Sequence, residues 1–247
     1  MTKGRIVGLV LVLVVVSGFV VADLATAVRP QWPASREGDP VPARPGPGDP
    51  PFHREPFAPS LTARRDAFLT WISQQETSDS KSGVWTDIAK LALDPDHQIN
   101  AAALQASLDF VNEHNDTADF HMAGLMRLYH QHAESGTGSG ALTAEQVAAL
   151  EQAFLHHKYW LDEPTPTPME LWTENHQILT YSAEYLAGQR FPDEVFTNNG
   201  QTGSWHKQVA RERLLRWIDW RARTGMAEWD AVIYYRMDLA ALLNLVD

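Results

Sequence analysis

Residues 168–187 read Pro168-Met169-Glu170-Leu171-Trp172-Thr173-Glu174-Asn175-His176-Gln177-Ile178-Leu179-Thr180-Tyr181-Ser182-Ala183-Glu184-Tyr185-Leu186-Ala187. Apolar residues recur at three- and four-residue intervals through Leu171, Trp172, Ile178, Leu179, Ala183, Tyr185 and Leu186. That is the period of a helix and not of a strand. Thr167 as cap, Pro168 at the first position and Glu170 three residues after the cap mark its start. Gly188 marks its end. Asn175 interrupts the apolar stripe, and His176 flanks it. Glu174 falls with Gln177, Tyr181 and Glu184 on the polar face, which predicts that it points outward. An inward amide left without partners costs about 1–3 kcal/mol. Asn175 therefore either ties a loop to the helix or lines a cavity where a ligand supplies the partner.

The same period runs through the rest of the chain. It predicts helices at about 61–76, 84–93, 98–113, 119–133, 143–160, 168–187, 204–223 and 234–246. Thr143-Ala144-Glu145 opens one of them, and Ser135 to Gly140 reads as a flexible loop. No segment shows sustained strand alternation. The expectation is an all-α fold of stacked antiparallel hairpins, about four of them. The chain stops at Leu242-Leu243-Asn244-Leu245-Val246-Asp247, inside an apolar helical pattern, so the hairpin set is expected to be incomplete.

The N-terminal part has a different character. Lys3 and Arg5 precede an uncharged apolar run from Ile6 to Ala22, followed by Ala25-Thr26-Ala27. This is the layout of a secretory signal peptide, residues 1–27, with an uncleaved signal anchor as the rival. Residues 28–60 form a Pro-rich, extended linker; Arg29 to Ser60 holds ten prolines among charged and small residues. The folded domain is then 61–247, long enough for one core. The protein is expected to be secreted or extracytoplasmic, touching a membrane only through its N-terminal segment. No cysteine occurs, which excludes thiol catalysis and Cys-based zinc sites. The net charge is −11, and −12 once Lys3, Arg5 and Asp23 are removed with residues 1–27. Nucleic acid is therefore not an expected partner.

One order of residues goes beyond the helical pattern. Trp172-Thr173-Glu174-Asn175-His176 is followed by Tyr185-Leu186-Ala187-Gly188-Gln189 and then Glu228-Trp229. Tyr234-Tyr235, Asp238-Leu239 and Leu242-Leu243-Asn244-Leu245 complete it. From His157 to Asp247 this resembles a group of uncharacterised exported α-helical proteins that is similar to the (α/α) toroid polysaccharide lyases and six-hairpin glycosidases. The resemblance implies a toroid-like fold and β-elimination on an anionic polysaccharide, without a cofactor. In that chemistry an amide stabilises the uronate carboxylate as it gains charge, which Asn175 would do for ~3–4 kcal/mol of barrier. A base removes the carbon-bound proton and an acid protonates the departing glycosidic oxygen. His176, Tyr234 and Tyr235 are the candidates, each worth roughly 10²–10⁴-fold. The assignment among them stays open. The alternative on the same fold is an inverting glycoside hydrolase using Glu174 with Glu228 or Asp230. A non-catalytic glycan- or partner-binding module is the third reading.

Substrate-binding candidates are Trp172, whose indole suits a sugar ring, and His206, Lys207 and Arg211. The last three open a segment, Ser204 to Thr224, in which six basic residues face two acidic ones, a local charge of +4. Those charges equally suit the solvated face of a helix burying Val209, Leu214, Trp217 and Ile218. His130-Gln131-His132 and His156-His157 splay their rings and lack carboxylates at ligand spacing, so no metal site is expected. No nucleophile elbow, phosphate loop or dinucleotide fingerprint occurs.

Overall fold

A computed structural model describes residues 60–77, 84–133, 141–228 and 231–246. The expected signal segment 1–27, nearly all of the expected linker 28–60, the expected loop Ser135–Gly140 and Asp230 lie outside these residues. The chain divides into two compact units, residues 1–64 and 65–247. Of the first, only residues 60–64 are described; Ser60 Oγ accepts the Ala63 N–H at 3.1 Å at the opening of a helix.

Among the described residues there are eight helices and no strand: α1 Leu61–Ser73, α2 Trp85–Leu93, α3 Ala101–Asn112, α4 Ala118–His132, α5 Ala144–His156, α6 Glu174–Arg190, α7 Gly203–Thr224 and α8 Val232–Asn244. One isolated bridge joins Val195 to Thr202. The fold is all-α, as the periodicity requires.

Side-chain caps set half of the helix starts, at α1, α3, α5 and α7. The Asn100 side chain accepts the Ala102 and Ala103 N–H groups at the head of α3. Thr143 and Gln146 form a reciprocal capping box at α5. Asp87, buried in α2, ties three segments together. It accepts Thr77 Oγ1 and His97 Nε2 at 2.8 Å each and the Asn100 N–H at 3.0 Å.

Two boundaries differ most from the sequence expectation. Helix α5 stops at His156 rather than 160, and α6 begins at Glu174 rather than Pro168. The intervening 157–173 stretch is irregular because prolines 164, 166 and 168 cannot donate and push their predecessors toward extended conformations. Its polar groups are engaged elsewhere: Thr167 Oγ1 donates to the His114 carbonyl at 2.6 Å, and the Glu170 N–H reaches Asp116 at 3.3 Å. Gly188 does not end α6, which continues to Arg190. Its role is close approach. A Cβ there would sit 2.5 Å from the Gly203 carbonyl oxygen and 2.6 Å from the Lys207 nitrogen of α7.

Helix α6 is the centre of the unit. It packs on α7 most extensively, and also on α4 and α8; α4 meets α8, while α3 packs on α4 and α5. Phe120, Ile178, Leu179, Leu214, Trp217, Met237 and Ala241 fill the junction of α4, α6, α7 and α8. A larger cluster built around Leu104, Leu125, Leu128, Tyr129, Phe154, Tyr159 and Leu171 supports the other side.

Candidate functional site

Thirteen of the seventeen residues of α6 are buried, so the helix has no solvated face. This corrects the expectation for Glu174. It is buried, because α7 and the segment leading to α8 cover the side that periodicity reads as polar. A helix covered all round must pair its polar groups inside.

Glu174 does so with backbone and charge. Its Oε2 accepts the Glu228 N–H at 2.8 Å, and its Oε1 lies 2.5 Å from Arg221 Nε in a charge contact whose N–H is not aligned on the oxygen. Trp217 Nε1 donates to the Glu174 carbonyl at 3.2 Å. Asn175 is buried, and its Nδ2 donates to both oxygens of the Glu228 carboxylate, at 3.1 and 3.0 Å. Its Oδ1 has no hydrogen-bond partner among the described residues.

His176 looks toward α4. Its Nδ1 lies 2.6 Å from Asp119 Oδ2, and its ring stacks on Phe120 at 5.3 Å. Burial alone would lower the imidazolium, but the hydrogen bond and charge of Asp119, helped by Asp116 and Glu170, outweigh it and raise the pKa. Asp119 sits in the first turn of α4 because the preceding turn takes left-handed φ at His114 (52°) and Thr117 (69°).

Helix α8 contributes Asp238. It is 0 % exposed, and neither carboxylate oxygen has a hydrogen-bond partner among the described residues. Burial pushes this carboxyl up, the like charges of Glu174 and Glu228 push it further, and Arg221 offsets part of the rise, leaving it at about 7. The cluster thus holds one carboxyl that keeps its proton near neutrality beside another whose charge is balanced by a guanidinium. That is the division of labour an acid–base pair needs.

The other expected site residues are dispersed. Tyr234 is 40 % exposed, and Tyr235 is partly buried, both in the first turn of α8, one turn before Asp238. Trp172 is 62 % exposed just ahead of α6, so it does not join the buried stripe. Arg211 is exposed, and Lys207 Nζ lies 5.8 Å from the centre of the Tyr185 ring. His206 is fully buried, with Nδ1 2.9 Å from Glu184 Oε1. Of the helix face around it, Leu214 and Trp217 are buried, whereas Val209 and Ile218 are only partly so.

Asp119, Arg221 and Asp238 join the cluster although the sequence reading did not place them there. Asp238 carried a signal: a lone carboxylate between Met237 and Leu239-Ala240-Ala241-Leu242 must face something buried. Comparison of the chain with protein-family models, curated proteins and solved structures gives no match.

Proposed function

We propose that the cluster at the start of α6 is an acid–base site that hydrolyses a glycosidic bond in an exported, toroid-like helical protein. The observation that carries this reading is the buried Asp238 carboxyl, without a hydrogen-bond partner among the described residues and pushed up to about 7, beside the Arg221-balanced Glu174. Asp238, 0 % exposed with the site closed, gives its proton to the departing glycosidic oxygen once the sugar displaces the cover at the start of α8. Glu228, partly buried and the most accessible of the three carboxylates, takes a proton from the water that attacks the anomeric carbon. Glu174 fixes the Glu228 backbone and Asn175 fixes its carboxylate. Three carboxyl groups against one guanidinium favour an uncharged sugar at this point over a uronate. The mutual packing of α4, α6 and α8 supports a toroid-like arrangement of hairpins.

A specific observation favours a second reading, β-elimination on an anionic polysaccharide. Asn175 grips both oxygens of a carboxylate, as it would grip a uronate, and Asp119 fixes His176 through Nδ1. The Nε2 of His176 would then be the base, with Tyr234 or Tyr235 as acid.

The products separate the two. The purified full-length chain is incubated with neutral and uronate glycans, measuring reducing ends and ultraviolet-absorbing unsaturated sugars. Reducing ends from a neutral glycan without unsaturated products are expected. Unsaturated products from a uronate polymer would replace hydrolysis by elimination. Silence on the whole panel would leave the cluster as a staple joining α6, α7 and α8.

A further inference from the structure

A second polar group is buried on the far half of α6. Glu163 of the irregular 157–173 segment, Glu184 of α6 and His206 of α7 are all buried, and a ligand atom of each lies within 4.8 Å of the others. Asn198 and Asn199, from the loop between α6 and α7, close the group: Asn198 Nδ2 donates to Glu163 Oε2, and Asn199 Oδ1 faces His206 Nε2 at 3.1 Å.

The hydrogen-bond ledger is one donor short. His206 Nδ1 faces Glu184 Oε1 at 2.9 Å and Nε2 faces Asn199 Oδ1 at 3.1 Å, so both ring nitrogens meet acceptors. A neutral imidazole carries a single N–H. With that N–H given by Nε2 to the Asn199 carbonyl, the Nδ1 lone pair points at Glu184 Oε1, a contact that a cation between them would reverse. An imidazole oriented by a carbonyl through one nitrogen, with the other turned to a carboxylate that can share an ion with it, is the usual arrangement of a metal-binding histidine. The other groups are already placed. Arg213 donates to Glu184 Oε2 at 3.1 Å and lies 4.9 Å from the centre of the Trp160 ring; the Tyr159 N–H holds Glu163 Oε1 at 3.1 Å.

We infer that Glu163, Glu184 and His206 form a buried site for a divalent transition ion, with Zn²⁺ as the fitting probe. Ligand atoms ~2.0–2.2 Å from an ion lie ~3–4 Å from each other, so the three groups, whose ligand atoms lie within 4.8 Å of one another, close on an ion by side-chain shifts on the order of 1 Å. One imidazole among oxygen ligands selects a borderline ion over Ca²⁺ or Mg²⁺. A dication also balances the Glu163 and Glu184 carboxylates, of which Glu184 alone meets a guanidinium among the described residues, that of Arg213. The ion clamps both irregular segments, 157–173 and 191–202, onto the α6–α7 pair. This site is independent of the acid–base cluster and stands whether or not the protein hydrolyses glycans.

The test uses the full-length chain, stripped with a chelator and titrated with Zn²⁺ by calorimetry and thermal melting. One ion per chain is expected, with a rise in Tm that the chelator reverses. E163Q and H206Q should weaken binding at least about tenfold, the lower bound for disturbing a metal shell, and lose the Tm rise. H156Q, at the exposed end of α5, should keep both. Should the variants fail to fold, X-ray absorption of the zinc-loaded wild type decides: one imidazole with oxygen ligands supports the site. No zinc uptake by the wild type, undiminished uptake by folded E163Q and H206Q, or two or more imidazoles on the ion would overturn it.

Discussion

At the scale of single residues, Asp238 governs the account. Its folded-state pKa of about 7 lies above the ordinary 3.8, so the native state holds a proton that the unfolded chain releases. Native stability from this group is present below pH ~4 and falls as pH rises towards 7; a three-unit shift corresponds to up to ~4 kcal/mol. D238N removes that dependence. In paired denaturant melts its stability relative to wild type should climb between pH 4 and 7 and level off above; a constant difference would show that Asp238 titrates normally. His157 bends the curve the other way. It is buried, both ring nitrogens lack partners among the described residues, and burial, followed by the neighbouring His114 and His156, lowers it to about 3. Stability from its neutral form is present above pH 6.5 and is lost as pH falls towards 3. H157F should therefore lose less stability on acidification than wild type, measured by the same melts.

Asn175 was legible at this scale because it breaks an apolar stripe. Glu174 was not, because periodicity gives direction on one helix and says nothing of what covers its other side. Arg221 and Asp119 come from distant elements, and no local pattern pairs them with α6.

At the scale of elements, the sequence located all eight described helices and erred where three prolines compete with helix formation. The Thr167-Pro168-Glu170 signature imitates a helix start, yet Thr167 spends its hydroxyl on the His114 carbonyl and a Met169 N–H. Gly188 misled for a related reason. It resembles a helix terminator, whereas its missing side chain lets α7 pass. G188A should destabilise by roughly 1–3 kcal/mol, the cost of overpacking a tight contact, because the clashing atoms are backbone and cannot rotate away. A wild-type melting midpoint for G188A would contradict the close-approach explanation. At α5, T143A should lose about 1 kcal/mol through its capping box, readable in the same denaturation series.

At the scale of the molecule, α6 organises the described fold: an almost wholly buried helix carrying two polar clusters, one near each end. Its first turn gathers Asn175, Glu174, Glu228 and Asp238 with Arg221; its later turns present Glu184 to His206 and Arg213. All-α architecture was readable from composition and period. The pairing of these clusters was not, since it depends on which helices meet across long separations in the chain. The most direct test of the central claim is the pH dependence of reducing-end release by wild type, D238N and E228Q, with fold checked by circular dichroism. The wild-type rate should fall as pH rises through about 7, and both folded variants should lose roughly 10²–10⁴-fold. Wild-type rates in folded D238N and E228Q would contradict it.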